Sequence, residues 1–139
     1  MQEYQYEDLN VGDEASFQYD INEETMALFA KITGDENPLH TDEDYARANG
    51  YQERVVYGQL TAAALSTLAG MVLPGRYSLI HSIETSFVKP VYLSDCPLTV
   101  KAVVKEKDDR FRTMIVKYNI YNTAEQKVCK GKMRIGFTS

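Results

Sequence analysis

The sequence predicts an α+β fold in which an antiparallel sheet curls around one buried helix. The first observation is an uncharged stretch, residues 55–75, in which residues 59–72 are apolar or small on every side of a helix. A helix of this kind lies at the centre of a protein rather than on its surface. The second observation is that the hydrophobic period changes to two after Pro74-Gly75 and stays there through four successive segments. A short strand over residues 15–20 precedes the helical part.

Two short helices are predicted between the first strand and the central helix. Asn22 is a good N-cap for the first, glutamates follow it at the positive end of the helix dipole, and Gly34 ends it. Pro38 lacks an amide hydrogen and biases the residue before it toward extended backbone, so residues 34–41 are predicted to be a tight loop. Thr41 then caps the second helix.

Four strands are predicted after the central helix. Turn-forming residues at 107–110 and 122–125 indicate hairpins, so the strands are expected to form a meander with one covered face. His81 is expected to be a core residue. The positions predicted to face the core are Tyr77, Leu79, His81, Ile83, Thr85 and Phe87; Leu98, Val100, Ala102 and Val104; Met114, Val116, Tyr118 and Ile120; and Cys129, Met133, Ile135 and Phe137.

Length and composition predict one globular domain over residues 1–139. With 44% hydrophobic and 25% charged residues, the chain can form a core without disulfides or a structural metal. The net charge of −5 argues weakly against nucleic acid as a partner. The charge is unevenly distributed: residues 1–53 carry 14 acidic and 2 basic side chains, whereas residues 54–139 carry 6 acidic and 13 basic ones.

Nothing in the sequence predicts export or a membrane. The first residues have neither a basic nor an apolar signal region, and Cys96 and Cys129 fit no metal or redox spacing. The uncharged stretch over residues 55–75 contains too many small and polar residues for a membrane span, and a helix buried in a globular protein explains it better. We therefore expect a cytoplasmic protein with two reduced thiols.

Asp35 and His40 are the first candidates for chemistry. They lie in the segment Gly34-Asp35-Glu36-Asn37-Pro38-Leu39-His40, where the proline-enforced turn can bring both side chains to one site. Two titratable groups on a rigid loop are what general acid–base catalysis needs. The alternative is that Asp35 caps the loop and His40 lies on the surface. A metal site is not predicted, because further ligands at familiar spacings are missing.

Gly58 is the second candidate, because it lies at the N-terminus of the central helix. Free backbone amides and the helix dipole converge there, so the position can accept an oxyanion. The alternative is an ordinary helix-start glycine. Together, the Asp35–His40 loop and Gly58 would supply what the addition of water to a carbonyl-conjugated double bond requires: proton transfer and stabilisation of the enolate-like charge.

These residues stand in a sequence that resembles the MaoC-like dehydratases, or (R)-specific enoyl-CoA hydratases, of the hot-dog fold. The segment over residues 29–42 resembles the hydratase motif of that family, with Asp35 and His40 at the positions of its catalytic pair. Tyr45-Ala46, Gly58, Leu60-Thr61, Ser66 and Leu73-Pro74-Gly75 also match the family pattern. The resemblance covers nearly the whole chain. It implies a homodimer or higher homo-oligomer with active sites at the subunit interface.

The resemblance also implies roles for single residues. Asp35 would be the base that activates water, and His40 would be its partner in proton transfer. Gly58 would donate its amide to the thioester carbonyl, Ser66 would orient the His40 loop, and Asn37 would belong to the substrate-binding residues. The implied reaction is the reversible hydration of a trans-2-enoyl thioester to the (R)-3-hydroxyacyl thioester. It needs no separate cofactor, since coenzyme A or phosphopantetheine is part of the substrate.

Two positions depart from the family pattern. The family usually has Ala-His-Gly-Met before the central helix, whereas this chain has Val56-Tyr57-Gly58-Gln59. Gly58 is retained, so the oxyanion amide is expected to be present. Tyr57 and Gln59 suggest a differently shaped acyl pocket and a substrate more polar than a plain fatty chain; neutral drift explains them equally well.

A basic stripe is predicted on the last strand. Lys130, Lys132 and Arg134 alternate with core positions, so they lie on the opposite face. They are candidates for binding coenzyme A phosphates or an acidic acyl carrier protein, and an ordinary solvated strand face is the alternative.

Two other functions remain open at the level of the sequence. One is a hot-dog thioesterase, which would attack the carbonyl carbon of the thioester and release a free thiol. The other is an acyl-thioester-binding subunit without catalytic activity. An acyl thioester is the expected ligand in all three cases.

Overall fold

A computed structural model describes residues 1–138 and contains a five-stranded antiparallel sheet with helices on one side. The strand order is β1-β3-β4-β5-β2. The strands are β1 Glu14–Tyr19, β2 Ser78–Phe87, β3 Leu98–Asp108, β4 Thr113–Tyr121 and β5 Lys127–Phe137. The helices are α1 Glu23–Thr33, α2 Pro38–Thr41, α3 Glu43–Ala48, α4 Gly58–Ala62 and α5 Ala64–Thr67, and a π turn follows over Leu68–Val72. Single 3₁₀ turns lie at Tyr6–Asp8 and Leu93–Asp95.

The core lies between the sheet and the central helical segment formed by α4, α5 and the π turn. Leu65 and Leu68 of this segment are buried together with the inward-facing residues of β3, β4 and β5. The alternation predicted for these three strands is confirmed, because the positions expected to face the core are buried and Phe137 is partly buried. The α+β fold with a sheet around a central helix is therefore as predicted.

The central helix begins one residue earlier than predicted and is not one regular helix. The break after Ala62 lies where the amide of Ala63 is shared between the carbonyls of Gln59 and Leu60. At the other end, the amide of Leu73 donates to the carbonyl of Leu68 at 2.7 Å, which widens the last turn. The wide turn brings Leu73 into the core, where it is 2% exposed.

The first helix is as predicted, whereas the segment after it contains a helical turn that we predicted as loop. The Asn22 side chain accepts from the amide of Thr25, and Gly34 ends α1 with a φ of 73°. Pro38 is the first residue of α2, a position where a missing amide hydrogen costs nothing. Thr41, which was predicted to cap the next helix, is the last residue of α2. Asp42 is the N-cap of α3 instead.

The predicted meander is correct for β3, β4 and β5 but wrong for β2. Strand β2 pairs with β5 along Ser78–Phe87, so it forms an edge of the sheet instead of preceding β3 in a hairpin. The sequence of a strand predicts its faces but not its neighbours, because pairing depends on long-range contacts. The first hairpin turn also falls later than predicted, since β3 extends to Asp108 and Arg112 has a φ of 53°.

The prediction that His81 is a core residue is wrong. A β-bulge between Ile80 and Ser82 shifts the alternation of β2, and His81 is exposed with its ring over Gly136. A bulge adds one residue to a strand, so the positions before and after it no longer share one face. After the bulge, Ile83 lies opposite the buried Met133.

Candidate active site

A chain of local hydrogen bonds shapes the segment that carries Asp35. The Asp35 carboxylate accepts from the amide of Asn37 at 3.0 Å, and the Asn37 side-chain oxygen accepts from the amide of Leu39 at 3.0 Å. Pro38 then starts α2, and His40 is the third residue of this helix. The turn is therefore determined by residue types that are all within the motif itself.

The His40 ring is oriented by the segment that leads into the central helix. Its Nδ1 donates to the carbonyl of Val55 at 2.6 Å, and the Val55 amide donates to the carbonyl of Leu39 at 3.0 Å. A carbonyl can only accept, so Nδ1 carries a proton. In the neutral ring, Nε2 therefore keeps its lone pair and can accept a proton from water.

Asp35 and His40 are brought together through Tyr57. Within residues 1–138, no hydrogen bond joins the Asp35 carboxylate to the His40 ring; instead, Tyr57 bonds to the backbone of Asp35 and packs its ring against that of His40. Asp35 and His40 are both partly exposed, whereas Tyr57 is buried. The sequence predicted Asp35 and His40 as a pair and noted Tyr57 only as a departure from the family pattern, not as a residue in contact with both.

Gly58 presents a free amide at the start of the central helix. It is the first residue of α4, and among residues 1–138 its amide has no hydrogen-bond acceptor. A Cβ at this position would lie 3.1 Å from the Phe87 ring. Gly58 therefore allows the ring to pack close to the backbone while its amide stays available.

His40 and Gly58 line the same cavity, which has a volume of about 300 Å³. Its polar lining includes Tyr51, Lys89 and Thr61, whose buried hydroxyl has no hydrogen-bond partner among residues 1–138. The apolar lining consists of Leu39, Val55, Val56, Phe87, Val88, Pro90, Val91 and Val128. An apolar cavity with a few convergent polar groups is typical of a small-molecule site.

Asp35 is not among the residues that line this cavity, and other residues singled out in the sequence lie outside it as well. Ser66 is exposed and lines a groove between the central helix and β2 together with Gln59 and Phe87, and no hydrogen bond within residues 1–138 joins it to the His40 loop. Asn37 caps α2 and is exposed. Tyr57 does not line the cavity either, so its replacement of the family's histidine does not directly reshape the cavity wall.

The basic stripe lies on the outer face of the sheet, as its alternation predicted. Lys130, Lys132 and Arg134 line a depression of about 510 Å³ that does not include His40 or Gly58. Lys89 and Phe87, which line the cavity with His40 and Gly58, carry no local sequence signal of a site residue. Their positions depend on the pairing of β2 with β5, which no local pattern reveals.

Two further features bear on the class of site. In the part of the chain described, no three His, Cys, Asp or Glu side chains come together as a metal site would require. None of the helices in residues 1–138 has the length and hydropathy needed to cross a membrane.

Comparisons with known proteins identify the family of this chain. Residues 9–127 match the family model of the MaoC like domain. A curated (R)-specific enoyl-CoA hydratase from Rhodospirillum rubrum is 34% identical over 105 residues, which cover 73% of each chain. A 3-hydroxybutyryl-CoA dehydratase from Methylorubrum extorquens is 35% identical over 101 residues, which cover 73% of this chain and 64% of the relative.

The structural comparison extends over nearly the whole fold. The solved structure of an (R)-hydratase from A. caviae involved in PHA biosynthesis superposes with a TM-score of 0.87 and 26% sequence identity. The superposition covers 93% of this chain and 97% of the other. The fold is therefore the hot-dog fold, and the chain belongs to the family of MaoC-like dehydratase domains.

Proposed function

We propose that this protein is a hydro-lyase that reversibly adds water to a trans-2-enoyl thioester and forms the (R)-3-hydroxyacyl thioester. The observation that carries the proposal is that the His40 ring and the free Gly58 amide line one largely apolar cavity. The curated relatives named as hydratase and dehydratase support the same reaction class. The acyl group is linked to coenzyme A or to an acyl carrier protein.

Each group in the site has a role in the proposed reaction. Asp35 removes a proton from water as the water oxygen bonds to C3 of the enoyl group, and the C2–C3 π electrons move toward C2 and the thioester oxygen. C2 then takes a proton from Nε2 of a His40 ring that is protonated on both nitrogens, and the proton held by Asp35 restores the His40 ring, so that one water is added in total. The Gly58 amide donates a hydrogen bond to the thioester oxygen as negative charge develops on it. Such a donor is worth about 3–4 kcal/mol in acyl-transfer enzymes. The reaction moves protons and water only, so we propose that no cofactor takes part.

The cavity lining favours Lys89 as the residue that meets the thioester carrier. Lys89 is exposed and shares the cavity with His40, whereas Lys130, Lys132 and Arg134 line the separate outer depression. The outer stripe remains a candidate for contact with the phosphates of coenzyme A or with an acidic carrier protein. A cytoplasmic location remains a prediction from the sequence.

We also propose a homodimer or higher homo-oligomer that uses the β2 edge. Within residues 1–138, strand β2 has no partner strand on one side, and Ile83 and Phe87 on it are 47% and 53% exposed. Phe87 also borders the cavity and contacts Gly58. An assembly through this edge would therefore place the active site at the subunit interface.

An assay with crotonyl-CoA separates the three functions left open by the sequence. Hydration removes the absorbance of the conjugated enoyl group without releasing thiol, a thioesterase releases thiol, and a binding subunit does neither. We expect loss of absorbance alone. No change with short, medium or branched enoyl thioesters would refute the proposed function.

Replacing Asp35 by asparagine tests the proposed base. Asparagine keeps a side-chain oxygen that can accept from the Asn37 amide, so the turn is expected to persist while the base is lost. We expect turnover of crotonyl-CoA to fall by at least about a hundredfold with an unchanged circular dichroism spectrum. The matched control is Glu36→Gln at the adjacent exposed carboxylate, which should keep its activity. Near-native turnover in Asp35→Asn would contradict the assignment.

A further inference from the structure

Tyr57 lies between the two residues that are proposed to move protons. Its hydroxyl donates to the backbone carbonyl of Asp35 at 2.7 Å. Its ring packs on the His40 ring with centroids 4.2 Å apart and planes inclined by 32°. Phe29 of α1 supports the Tyr57 ring at a centroid distance of 4.9 Å. With 3% of its surface exposed, Tyr57 has little freedom to take another orientation.

Tyr57 also adjoins the third group of the site, because it immediately precedes Gly58. In the described part of the chain, the hydrogen bonds that also hold the His40 loop to this segment both involve Val55, whose amide donates to the Leu39 carbonyl and whose carbonyl accepts from His40. Neither contact reaches Asp35. Tyr57 is thus the side chain that couples the position of Asp35 to the position of His40 and to the start of the central helix.

We propose that Tyr57 is a positioning residue for the hydration reaction, which holds the Asp35 backbone and the His40 ring in the relative orientation that lets both act on one substrate. This inference rests on the proposed function. Tyr57 is buried, its hydroxyl is bonded to the Asp35 carbonyl and its ring lies against the His40 ring, so it acts through these two residues and not by contact with substrate. Small displacements of catalytic groups are costly, because proton transfer requires heavy atoms within hydrogen-bond distance.

The environment of Tyr57 keeps its hydroxyl protonated and therefore able to donate a hydrogen bond. Burial raises the pKa of the Tyr57 phenol, the charge of Asp35 raises it further, and Arg54 lowers it. The phenol therefore stays protonated at neutral pH and can donate to the carbonyl of Asp35.

Two substitutions separate the two contacts. Tyr57→Phe removes the hydrogen bond to Asp35 and keeps the ring on His40, and Tyr57→Leu removes both. We expect kcat for crotonyl-CoA hydration to fall about tenfold in the first and about a hundredfold or more in the second, with KM changed less than about twofold. Substrate binding should be retained because Tyr57 lies outside the cavity.

The matched control is Tyr118→Phe. Tyr118 is also a buried phenol that donates to a main-chain carbonyl, that of Glu84 at 2.8 Å, but it lies outside the cavity lined by His40 and Gly58. We expect it to lower the melting temperature and leave kcat unchanged. Equal kcat in Tyr57→Phe and wild type would overturn the positioning role. So would a fall in kcat of the same size in Tyr57→Phe and Tyr118→Phe when the two variants have equally lowered melting temperatures.

A second measurement does not depend on activity. The chain has two histidines, so nitrogen-15 NMR with His81→Gln as the assignment variant isolates the His40 ring. We expect Tyr57→Leu to change the His40 ring shifts and to reduce the preference for a protonated Nδ1. Unchanged His40 signals would overturn the inference even if the wild-type protein hydrates no enoyl thioester, whereas an inactive wild type with perturbed signals would refute only the proposed function.

Discussion

Gly58 shows how one residue can satisfy two requirements of a site. Its lack of a side chain lets the Phe87 ring pack against the backbone, and its position at the first turn leaves its amide without an acceptor among residues 1–138. A thioester carbonyl that enters between His40 and Gly58 would take up that amide. The packing and the proposed oxyanion contact are thus consequences of the same missing side chain.

Substitution of Gly58 by alanine should impair catalysis more than folding. The new Cβ would lie 3.1 Å from the Phe87 ring, so the ring or the helix start must shift and the amide loses its alignment. We expect kcat/KM to fall between about tenfold and a hundredfold, less than the complete loss of a preorganised donor would cost, because the amide is displaced and not removed. The measurement is steady-state kinetics with crotonyl-CoA.

The control for Gly58→Ala lies on the same helical segment. A Cβ at Gly70 would meet nothing within 4 Å, so Gly70→Ala should keep normal kinetics. Phe87→Leu in the Gly58→Ala background should restore part of the activity by making room. Normal kcat/KM in Gly58→Ala itself would argue against an oxyanion role for this amide.

The predictable part of the site is the part encoded locally. The turn that carries Asp35 and His40 could be predicted because it depends only on neighbouring residues, and the catalytic roles of both residues remain predictions. The contact of Tyr57 with Asp35 could not be predicted, since it spans 22 positions of the chain. The site assignments of Ser66 and Asn37 remain predictions: the structure places Ser66 in the neighbouring groove and Asn37 at a helix cap.

At the scale of elements, α1 connects helix capping to the site. Its N-cap Asn22 accepts from Thr25, and the Thr25 hydroxyl in turn accepts from the Asn22 amide at 2.9 Å. At the other end, Phe29 supports Tyr57 and Gly34 turns the chain into Asp35. Both ends of α1 were predictable because caps are local signals. The π turn and the β2–β5 pairing were not, because distant packing determines them.

Loss of the α1 cap should reduce stability without changing the chemistry. We expect Asn22→Ala to lower the free energy of unfolding by about 1 kcal/mol, because the Thr25 amide loses its acceptor. Urea denaturation followed by circular dichroism measures the change, and kcat well below the melting temperature should be unaltered. Asn22→Asp keeps an acceptor oxygen and should remain near wild type. Equal destabilisation by alanine and aspartate would mean that the cap bond is not the cause.

At the scale of the whole molecule, the uneven charge distribution gives rise to ion pairs between the acidic N-terminal part and the basic remainder of the chain. Ion pairs join Glu3 to Arg76 and Glu7 to Arg112, and each links the acidic first part to the basic second part. The Lys107 ammonium donates to the carbonyls of Tyr6 and Leu9 at 2.9 and 2.6 Å. Exposed pairs are worth at most about 1 kcal/mol each, so they guide the packing while the core supplies most of the stability.

The exposed β2 edge leads to the prediction for assembly. A lone edge strand with large apolar side chains is open to pairing with another chain unless it is covered. Ile83 and Phe87 face the groove beside the central helix, and Leu79 on the same strand is 54% exposed. A second copy placed along β2 would cover these side chains and bring its own groove next to Gly58 and Phe87.

Ile83→Lys should convert the proposed dimer into a monomer, because a charged group would be buried in the interface. We expect the wild-type protein to sediment at about twice the 15.8 kDa of one chain and the variant to sediment as a single chain with reduced hydratase activity. Ile32→Lys on α1 is the matched control, since Ile32 is 80% exposed and does not line the groove beside β2, and it should stay dimeric and active. A wild-type monomer would contradict assembly through this edge. A monomeric Ile83→Lys variant with full activity would mean that each active site is complete within one chain, so Phe87 would need no second subunit to form the cavity wall.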